Sequence, residues 1–578
     1  IEALSLAARS DKYHVKAIKP LPRRKLYDKV PLLDCFTAPC KGGCPIHQDI
    51  PEYIELCRKG AYASALRLIT EKNPLPFITG TICAHNCMTK CMRNYYDEPV
   101  NIRATKLVAA EKGYDAYMSK ITPPAPVTDG RKVAVIGGGP TGMSAAYFVG
   151  RAGIPVTLFE KADRLGGIVR QVIPAFRISD EAIDKDVALM EKMGVEVKLN
   201  TEAPSVAELK AQGYTHIFFA VGAWKAGRLD IPGNVVPVIG WLRDMKAGKD
   251  VSLGHVAVVG GGNTAMDAAR AALRAGAKSS TLVYRRTKKY MPADAEELEM
   301  AIADGVEFLE LVAPVEQKDG KLICEKMKLG DPDDKGRRKP VPTGEMVEIP
   351  CDTVVSAVGE KVESEVFTRN GITVDEKGIP AFKTNLEGVY AGGDAMRGPA
   401  TVVEGIADAQ YFANAVIGEA HKFAIPAKAV ATREEAVAKK GVLCESAKCE
   451  GNRCLTCNVV CQVCADVCPN RANVVIELPD GRQQILHVDR MCNECGNCAV
   501  FCPYDSAPYR EKFTLFLTRE GFDESVNNQG FLPLGGKKVL VRLDSKVFEA
   551  DLDAKNDLPA DIEVFIWTVL TKYAYLMG

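Results

Sequence analysis

The chain has 578 residues, and its 74 lysine and arginine residues balance its 74 aspartate and glutamate residues. This length predicts about three to five domains, and the neutral balance gives no support for nucleic acid or a membrane surface as a general partner. No apolar run approaches the roughly 18 residues of a membrane helix. Because no signal peptide is visible and the first residue is Ile1, we expect a cytoplasmic protein with further residues upstream.

The twenty cysteines indicate metal rather than disulfides. Eighteen of them lie in residues 35–91 and 444–502. Disulfide scaffolds are small and secreted, whereas this chain is large and shows no signal. The clustering favours iron–sulfur ligation in a reducing compartment over a disulfide framework.

The N-terminal part reads as a charged connector, residues 1–34, followed by a helical iron–sulfur domain, residues 35–118. The runs CFTAPCKGGCP and CAHNCMTKC supply six predicted metal ligands. Cys57 lies on an apolar helix face, so core packing is the expected role of its thiol. The proline-rich segment 119–130 is a linker. The predicted ligands are Cys35, Cys40, Cys44, Cys83, Cys87 and Cys91.

The segment GGGPTG predicts a site for FAD. It follows the strand-like KVAVI and has G-x-G-x-x-G spacing, so its glycines permit a tight turn and a close approach of the backbone to a pyrophosphate. Glu160 ends the next strand, where an acid suits ribose hydroxyls; a glycine turn with a surface glutamate is the alternative. The FAD residues predicted in this part are Gly137, Gly139, Pro140, Gly142, Glu160, Gly166, Gly167 and Gly222.

A late GGD, residues 392–394, predicts the flavin end of the same site. Asp394 can accept a hydrogen bond from a ribityl hydroxyl, and the helix that follows would direct its N-terminus and dipole at the flavin ring. On its own, GGD is more often a simple turn. We expect Gly393, Asp394 and Thr401 to bind FAD.

The segment GGGNTA repeats this plan and predicts a nicotinamide nucleotide site, with G-x-G-x-x-A spacing that ends at Ala265. The strand after its helix ends in Arg285 and Arg286, where an acid would hold an NAD ribose, so the pair favours the 2′-phosphate of NADPH. The alternative is a solvated charge pair, with NADH use left open. The predicted residues are Gly260, Gly262, Asn263, Thr264, Arg285, Arg286 and Gly359.

Two C-terminal cysteine runs predict a pair of [4Fe–4S] clusters. CNECGNCAVFCP matches the bacterial ferredoxin pattern, in which the fourth cysteine serves the other cluster. CLTCNVVCQVCADVCP is the partner run, with one extra residue after Cys457. The crossed assignment puts Cys468 with Cys492, Cys495 and Cys498, and puts Cys502 with Cys457, Cys461 and Cys464. Cys454 could replace Cys457, and Cys324, Cys351, Cys444 and Cys449 are expected to be ordinary thiols.

The motifs CFTAPCKGGCP, GGGPTG, IPAFRIS, GGGNTAMD, VYRR, MPA and GGDAMRGPATVVEGI resemble those of the glutamate synthase small-subunit family. That family shares its module with dihydropyrimidine dehydrogenase, and the resemblance covers about residues 30–420. It implies FAD, NADPH and two N-terminal [4Fe–4S] clusters. With the ferredoxin run and the C-terminal segment, the whole chain is most similar to the selenate reductase iron–sulfur subunit family, in which an FMN-type barrel precedes this region.

The expected architecture is therefore multidomain α/β. The predicted parts are a FAD-binding domain at 131–228 and 359–423, an inserted NADPH-binding domain at 229–358, a linker at 424–447, a 2[4Fe–4S] ferredoxin-like domain at 448–510 and a C-terminal α+β segment at 511–578. Both nucleotide-binding domains are expected to be Rossmann-like.

The resemblance leaves the N-terminal clusters incomplete. Relatives have a cysteine at the position of Leu32 and a Gln or Glu ligand at the position of Lys106. By matching, one cluster takes Cys35, Cys40 and Cys91, and the other takes Cys44, Cys83 and Cys87. A solvent ligand, an oxygen ligand or a lost cluster are the alternatives for each missing position.

We expect an NADPH-dependent flavin and iron–sulfur oxidoreductase that passes electrons to a second active site, in an upstream FMN barrel or a partner subunit. Positioning does most of the hydride-transfer work, so no catalytic acid–base residue is predicted. An N-heterocycle such as a pyrimidine or urate is the expected acceptor. The alternatives are a glutamate synthase small-subunit-like donor and a relay or assembly subunit beside a molybdenum hydroxylase.

Overall fold

The computed structural model describes residues 23–249, 251, 253–334, 336–418, 430–442, 450–525 and 528–578. Most of the connector 1–34, much of the linker 424–447, and both Cys444 and Cys449 lie outside the described residues. The described residues form two compact units. The first contains residues 66–84 and 106–418, and the second contains residues 23–65, 85–105 and those from 430 onward. The predicted segment 35–118 is thus divided between the units.

A five-stranded parallel sheet organises the first nucleotide-binding fold. Its strands, numbered along the whole chain, are β1 Val133–Ile136, β2 Val156–Phe159, β3 Glu196–Lys198, β4 His216–Phe219 and β15 Val389–Ala391. Their order is β15-β4-β1-β2-β3, and all neighbours are parallel. Every residue of β1 and β2 is buried, as expected for a parallel sheet covered on both faces.

A second parallel sheet organises the other nucleotide-binding fold. Its strands are β6 Val235–Pro237, β7 His255–Gly260, β8 Ser279–Tyr284, β9 Glu307–Glu310 and β13 Thr353–Ala357, in the order β6-β13-β7-β8-β9. An antiparallel three-stranded sheet interrupts it, formed by β10 Val312–Lys318, β11 Lys321–Pro332 and β12 Arg338–Pro350. Two short antiparallel strands, β5 Lys225–Ala226 and β14 Glu360–Lys361, pair where the chain passes between the two folds.

Helices follow the strands in both folds of the first unit. Helix Pro140–Arg151 packs on β1 and β2, and helix Asn263–Arg274 packs on β7 and β8. The remaining helices are Pro76–Ile82, Gly167–Gln171, Asp180–Glu191, Val206–Ala211, Val238–Lys246, Ala295–Ala303, Glu365–Thr368, Asp394–Arg397 and Val402–Ile417, with a 3-10 turn at Lys288–Tyr290. Helices Tyr62–Thr70 and Ile102–Met118 contain residues of both units.

The second unit is built around one six-stranded sheet, in the order β16-β17-β18-β19-β20-β21. The strands are β16 Asn473–Glu477, β17 Gln483–Val488, β18 Thr514–Leu515, β19 Gly530–Gly535, β20 Lys538–Leu543 and β21 Lys546–Asp551. The hairpin of the predicted ferredoxin region therefore continues through β18 into the C-terminal strands. Phe513, Phe531 and Phe565 form the centre of the core beneath this sheet.

Short helices surround this sheet, and several of them border the cysteine runs. The helices of the second unit are Pro39–Gly42, Ile50–Arg58, Asn86–Thr89, Arg433–Ala438, Glu450–Arg453, Val463–Asp466, Asn497–Phe501, Pro508–Glu511, Arg519–Glu524 and Ala560–Lys572. The 3-10 turns are Met92–Tyr95, Asp489–Met491 and Ala574–Met577. Within the described part of the chain, no helix is both long and apolar enough to span a bilayer.

Candidate functional site

The first glycine loop forms a cradle at the carboxyl end of β1. Gly137 has φ 104°, a left-handed conformation that favours glycine, and a Cβ on it would meet the Ala220 carbonyl oxygen at 2.5 Å. A Cβ on Gly142 would fall 1.8 Å from the Gly137 carbonyl oxygen. Gly139 caps helix Pro140–Arg151 and opens onto a cleft. The loop leaves room for a phosphate group at a helix N-terminus.

Glu160 follows β2 and is tied to this loop. One carboxylate oxygen accepts a hydrogen bond from the Gly138 N–H at 2.6 Å, and the other accepts from the Ala162 N–H at 2.8 Å. Its side chain lines the cleft although it is largely buried. This geometry holds the carboxylate beside the cradle, where an acid can accept hydrogen bonds from ribose hydroxyls.

The late Gly-Asp segment reaches the same cleft from β15. Asp394 lines the cleft and accepts a hydrogen bond from the Ala400 N–H at 3.1 Å. Burial, together with the nearby charge of Glu360, raises the pKa of Asp394 to about 7 although the hydrogen bond from Ala400 opposes the shift. Thr401 caps helix Val402–Ile417 through a reciprocal capping box with Glu404, and this helix N-terminus also lines the cleft.

The cleft has a volume of about 870 Å³, which is within the range of small-molecule and cofactor sites. Gly142, Gly166 and Gly393 pack behind its wall instead of lining it. A Cβ on Gly393 would meet the Thr141 hydroxyl at 2.3 Å, and one on Gly166 would meet the Arg170 side chain at 2.8 Å. The predicted FAD residues that line the cleft are Gly137, Gly139, Pro140, Glu160, Gly167, Gly222, Asp394 and Thr401.

Other residues of the cleft were not predicted from sequence. Trp224 follows β4, and Arg243 lies on helix Val238–Lys246 of the second nucleotide-binding fold. Arg369 and Lys161 also line the cleft. No motif marks these four positions, since the cleft is lined by segments far apart in the chain. The cationic side chains of Arg243, Arg369 and Lys161 suit a phosphorylated ligand.

The second glycine loop repeats the same backbone geometry. A Cβ on Gly260 would meet the Ala357 carbonyl oxygen at 2.2 Å, whereas nothing lies within 4 Å of one on Gly262. Gly262 caps helix Asn263–Arg274, in which Ala265 is fully buried. Asn263 accepts a hydrogen bond from the Asp294 N–H at 3.0 Å. The open space at Gly262 is the position at which a dinucleotide approaches such a loop.

Arginine side chains stand at the end of β8, beside this loop. Arg285 is exposed, and Arg286 donates from Nε to the Arg338 carbonyl oxygen at 3.2 Å. Lys288 and Lys289 follow in the 3-10 turn. This cationic corner can recognise a 2′-phosphate. Thr264 is the second residue of helix Asn263–Arg274. Gly359, with φ 107°, lies in the segment that leads to β14, and its carbonyl oxygen accepts a hydrogen bond from the Gly227 N–H at 2.7 Å.

A buried ion network connects the two nucleotide-binding folds. Arg177 donates to Asp267 on helix Asn263–Arg274 at 2.9 Å and to Glu297 on helix Ala295–Ala303 at 2.6 Å. Both carboxylates are less than 10% exposed. Burial raises the pKa of Asp267 to about 6 although Arg177 opposes the shift. The motif IPAFRIS thus supplies the arginine of this network.

In the second unit, twelve of the cysteines surround three small cavities. Cys468, Cys492, Cys495 and Cys498 line the first, and this set is the one that the crossed ferredoxin pattern predicts. The Ala472 N–H donates to the Cys468 sulfur at 3.1 Å, and the Glu494 N–H donates to the Cys492 sulfur at 3.3 Å. Such N–H···S bonds are a feature of protein iron–sulfur sites.

The other two cavities group their cysteines differently from the expectation. Cys40, Cys91, Cys454 and Cys457 line one of them. Cys35, Cys461, Cys464 and Cys502 line the other. Cys457 thus lines a different cavity from Cys461 and Cys464, and Cys35 lines a different one from Cys40 and Cys91.

The donor set of each cavity fits a four-iron cluster. Burial raises the pKa of the Cys454 thiol to about 12 and that of Cys461 to about 11, so without a cation these groups stay protonated. Iron binds cysteine as the thiolate, and a [4Fe–4S] cluster takes four of them.

Cys44, Cys83 and Cys87 line none of these three cavities. Cys44 and Cys87 are buried in the second unit. Burial raises the pKa of Tyr53 there, and the neighbouring Cys87 and Cys44 add to this rise. Cys83 belongs to the first unit. Lys106 also belongs to the first unit. Burial raises the pKa of Asp186, and the charge of Lys106 opposes this rise. The set Cys44, Cys83 and Cys87 stays a prediction.

Comparison with known proteins identifies the class. Residues 131–409 match the family of pyridine nucleotide-disulphide oxidoreductases, and residues 31–116 match dihydropyrimidine dehydrogenase domain II with its 4Fe-4S cluster. Together with the cradles and the cysteine cavities, these matches define an oxidoreductase that binds FAD, NADP and [4Fe–4S].

The relatives then give the family. The small chain of NADPH glutamate synthase from Halomonas elongata is 32% identical over 65% of this chain and 86% of its own length. The chain therefore belongs to the glutamate synthase small-chain family. YgfK of Escherichia coli K12, named as an oxidoreductase, is 40% identical over the whole chain, which spans 59% of its length. The beta subunit of the NADP-dependent formate dehydrogenase of Moorella thermoacetica is 36% identical over 64% of this chain and 58% of its own length.

Proposed function

We propose that the chain takes electrons from NADPH and delivers them to an acceptor that is bound by another domain or subunit. FAD, when bound, would supply a hydride acceptor, and [4Fe–4S] clusters would supply one-electron carriers. The observation that carries the proposal is the shared cleft. Residues 137–141 of the first nucleotide-binding fold line it together with Pro237, Ile239, Gly240 and Arg243 of the second, which supports a nicotinamide meeting a flavin there.

The residues of this chain would bind and orient the two nucleotides. Gly139 would admit a pyrophosphate, Glu160 would accept hydrogen bonds from ribose, and Asp394 would accept one from the ribityl chain. Arg285 and Arg286 would hold the 2′-phosphate of NADPH. Because hydride transfer depends on proximity and orientation, no acid–base residue is required of the chain.

The cysteine cavities support an onward electron path. Three cavities with four cysteines each accord with at least three clusters, and the set of Cys44, Cys83 and Cys87 is the basis for a fourth. As potentials follow burial and hydrogen bonding around each cluster, their order along the path is set by those surroundings.

We place the acceptor outside this chain, in a flavin-mononucleotide domain or a partner subunit. Two relatives are named as subunits or chains of larger enzymes, and residues 31–116 match a domain of dihydropyrimidine dehydrogenase. That match supports an N-heterocycle, such as a pyrimidine or urate, as the reduced substrate. A glutamate synthase partner is the alternative acceptor.

The test is anaerobic oxidation of NADPH with an artificial one-electron acceptor, compared with NADH. We expect NADPH to be preferred, and Arg285→Ala to lower this preference by about ten- to hundredfold, which corresponds to the loss of about 1.5–3 kcal/mol from charged hydrogen bonds. Arg519→Ala, which removes an exposed arginine of the second unit, is the matched control. A variant at Arg285 that keeps the full preference would contradict the assigned phosphate site.

The acceptor is tested separately. Glutamate formation from 2-oxoglutarate and glutamine, on addition of a glutamate synthase large chain, would support the alternative. If a protein that contains FAD does not oxidise NADPH, the chain would act only as a relay of electrons from another donor, which would contradict the proposal.

A further inference from the structure

Two of the cysteine cavities draw their ligands from two separate motifs. Cys35 lies with Cys461, Cys464 and Cys502, although its nearest sequence neighbours among the cysteines are Cys40 and Cys44. We propose that the ferredoxin region and the N-terminal cysteine run exchange ligands, so that Cys35 completes a ferredoxin cluster and Cys454 and Cys457 complete an N-terminal one.

The spacing of the upstream ferredoxin run explains why a place is open for Cys35. In CNECGNCAVFCP, the first cysteine stands three residues before the second. Three residues before Cys461 is Asn458, whose side-chain amide instead donates to the Glu52 carboxylate at 2.6 Å. The ferredoxin pattern is therefore one thiol short at this position.

A strap, residues 24–37, brings Cys35 to this position. The Leu26 N–H donates to the Pro503 carbonyl oxygen at 2.8 Å, next to Cys502. The Val30 N–H donates to the Ser506 hydroxyl at 2.7 Å, and Leu26, Val30, Cys502 and Tyr504 form a common apolar cluster that Cys35 contacts.

The strap is also bonded on either side of Cys35. The Asp34 N–H donates to the Gln484 side-chain oxygen at 2.9 Å, and the Gln484 amide donates back to the Asp34 carboxylate at 2.6 Å. Beyond Cys35, the Tyr504 hydroxyl donates to the Thr37 carbonyl oxygen at 2.9 Å. These bonds enclose Cys35 between two anchors in the ferredoxin region.

The reciprocal half of the exchange is anchored in the same way. Arg453, next to Cys454, donates to the Glu98 carbonyl oxygen at 2.6 Å and to the Asp97 carboxylate at 3.2 Å. Glu450 accepts a hydrogen bond from the Asn101 N–H at 2.9 Å. A Cβ on Gly451 would meet the Arg58 side chain at 2.5 Å, so helix Glu450–Arg453 lies directly against helix Ile50–Arg58.

The exchange also completes the N-terminal set. Cys35 lies with the ferredoxin thiols, so Cys40 and Cys91 are the N-terminal thiols that line the remaining cavity. Cys454 and Cys457 restore four ligands around Cys40 and Cys91.

The iron content of double variants distinguishes the exchanged sets from the sequence-order sets. In the sequence-order sets, Cys35 shares a cluster with Cys40 and Cys91, and Cys457 shares one with Cys461, Cys464 and Cys502. The inference rests on the proposed iron–sulfur content and not on the electron route. The intact protein is purified anaerobically, and iron and native mass are measured. With exchange, Cys35→Ala/Cys461→Ala removes one cluster, about four iron atoms, whereas Cys35→Ala/Cys40→Ala removes two, about eight. The opposite pattern, with about eight lost in the first pair and about four in the second, would overturn the proposal.

A second pair and a control complete the design. With exchange, Cys40→Ala/Cys457→Ala loses about four iron atoms, and with the sequence-order sets it loses about eight. Cys324→Ala, a thiol in the first unit, should keep the iron of the unaltered protein. An unaltered protein without iron would contradict the proposed function itself and would be recognised before any variant is compared.

Serine variants decide the matter if alanine variants fail to fold or lose several clusters at once. Serine can stay bound to iron and changes the electron paramagnetic resonance signal of the cluster it serves. We expect Cys35→Ser and Cys461→Ser to alter the same signal, and Cys40→Ser to alter the signal that Cys457→Ser alters. If Cys35→Ser and Cys40→Ser alter one common signal, the exchange is refuted.

Discussion

At the residue scale, the two glycines of the flavin loop do different work although they stand three positions apart. A Cβ on Gly142 would overlap the Gly137 carbonyl oxygen at 1.8 Å, which concerns the folded chain itself. A Cβ on Gly139 would touch only the Gly167 Cα at 3.9 Å, an ordinary contact. Gly142 is therefore needed for packing of the chain, and Gly139 for access of the ligand.

Gly139→Ala should therefore leave the fold intact and weaken FAD binding at least about tenfold, or about 1.4 kcal/mol. The physical reason is that the added methyl group occupies the space of the pyrophosphate. Flavin absorbance of the purified protein and the melting temperature after FAD removal measure the two effects. Gly142→Ala is the contrast, because it should lower the melting temperature as well. Full FAD content in Gly139→Ala would show that the loop does not cradle the pyrophosphate.

The raised pKa of Asp394 predicts that the free energy of unfolding depends on pH, and one substitution can separate this contribution from those of other groups. Its pKa is raised from 3.8 to about 7 by burial, so the folded state binds this proton more tightly than the unfolded state does. The stability it contributes is present below about pH 4 and is lost as the pH rises through about 7. At about 1.4 kcal/mol per unit, the loss is at most about 4 kcal/mol.

Asp394→Asn should remove this dependence. In protein freed of FAD, we expect the variant to gain stability relative to the unaltered chain as the pH rises from 4 to 8. Chemical denaturation across this pH range measures the difference. A difference that stays constant with pH would mean that Asp394 ionises normally.

At the scale of elements, the network around Arg177 is a buried link between the two nucleotide-binding folds. The loop that carries Arg177 meets two helices of the other fold, at Asp267 and Glu297. A buried ion pair contributes little net stability, but breaking it leaves an uncompensated charge. The orientation of the folds therefore depends on keeping all three groups.

Arg177→Met should lower the free energy of unfolding by about 3–5 kcal/mol, since two carboxylates are left buried without a cation. Denaturant unfolding measures the loss. Adding Asp267→Asn and Glu297→Gln to the same variant should recover part of it. Arg228→Ala, which breaks an exposed pair with Asp230, should cost less than about 1 kcal/mol, and an equal loss in both arginine variants would contradict the role of burial.

At the scale of the whole molecule, the proposed electron path makes FAD necessary between NADPH and the clusters. In the unaltered protein, we expect NADPH to reduce [4Fe–4S] clusters, followed by their electron paramagnetic resonance. In Gly139→Ala that has been freed of FAD, NADPH should fail to do so, whereas dithionite should still reduce them because it needs no flavin. Cluster reduction by NADPH in the variant without FAD would mean that electrons enter by another route.

Much of the architecture could be predicted from sequence because its signals are local. The strand–glycine–helix order at Gly137 and Gly260 follows from φ/ψ restrictions and phosphate geometry, and both loops have the expected form. The multidomain α/β class with two Rossmann-like folds is confirmed. The continuous sheet from β16 to β21 was not anticipated, since the parallel pairing of β18 with β17 and β19 joins segments that no local pattern relates.

The sequence by itself determined which chemistry this protein handles, because glycine spacing, terminal arginines and Cys-x2-Cys runs are local requirements of nucleotides and iron–sulfur clusters. Only the tertiary structure decided how these groups are shared. Trp224 and Arg243 reach the flavin cleft, and Cys35 reaches the ferredoxin region, through packing between segments far apart in the chain. A sequence does not distinguish one cysteine ligand from another. The hydrogen bonds that anchor each backbone segment decide which thiols come together.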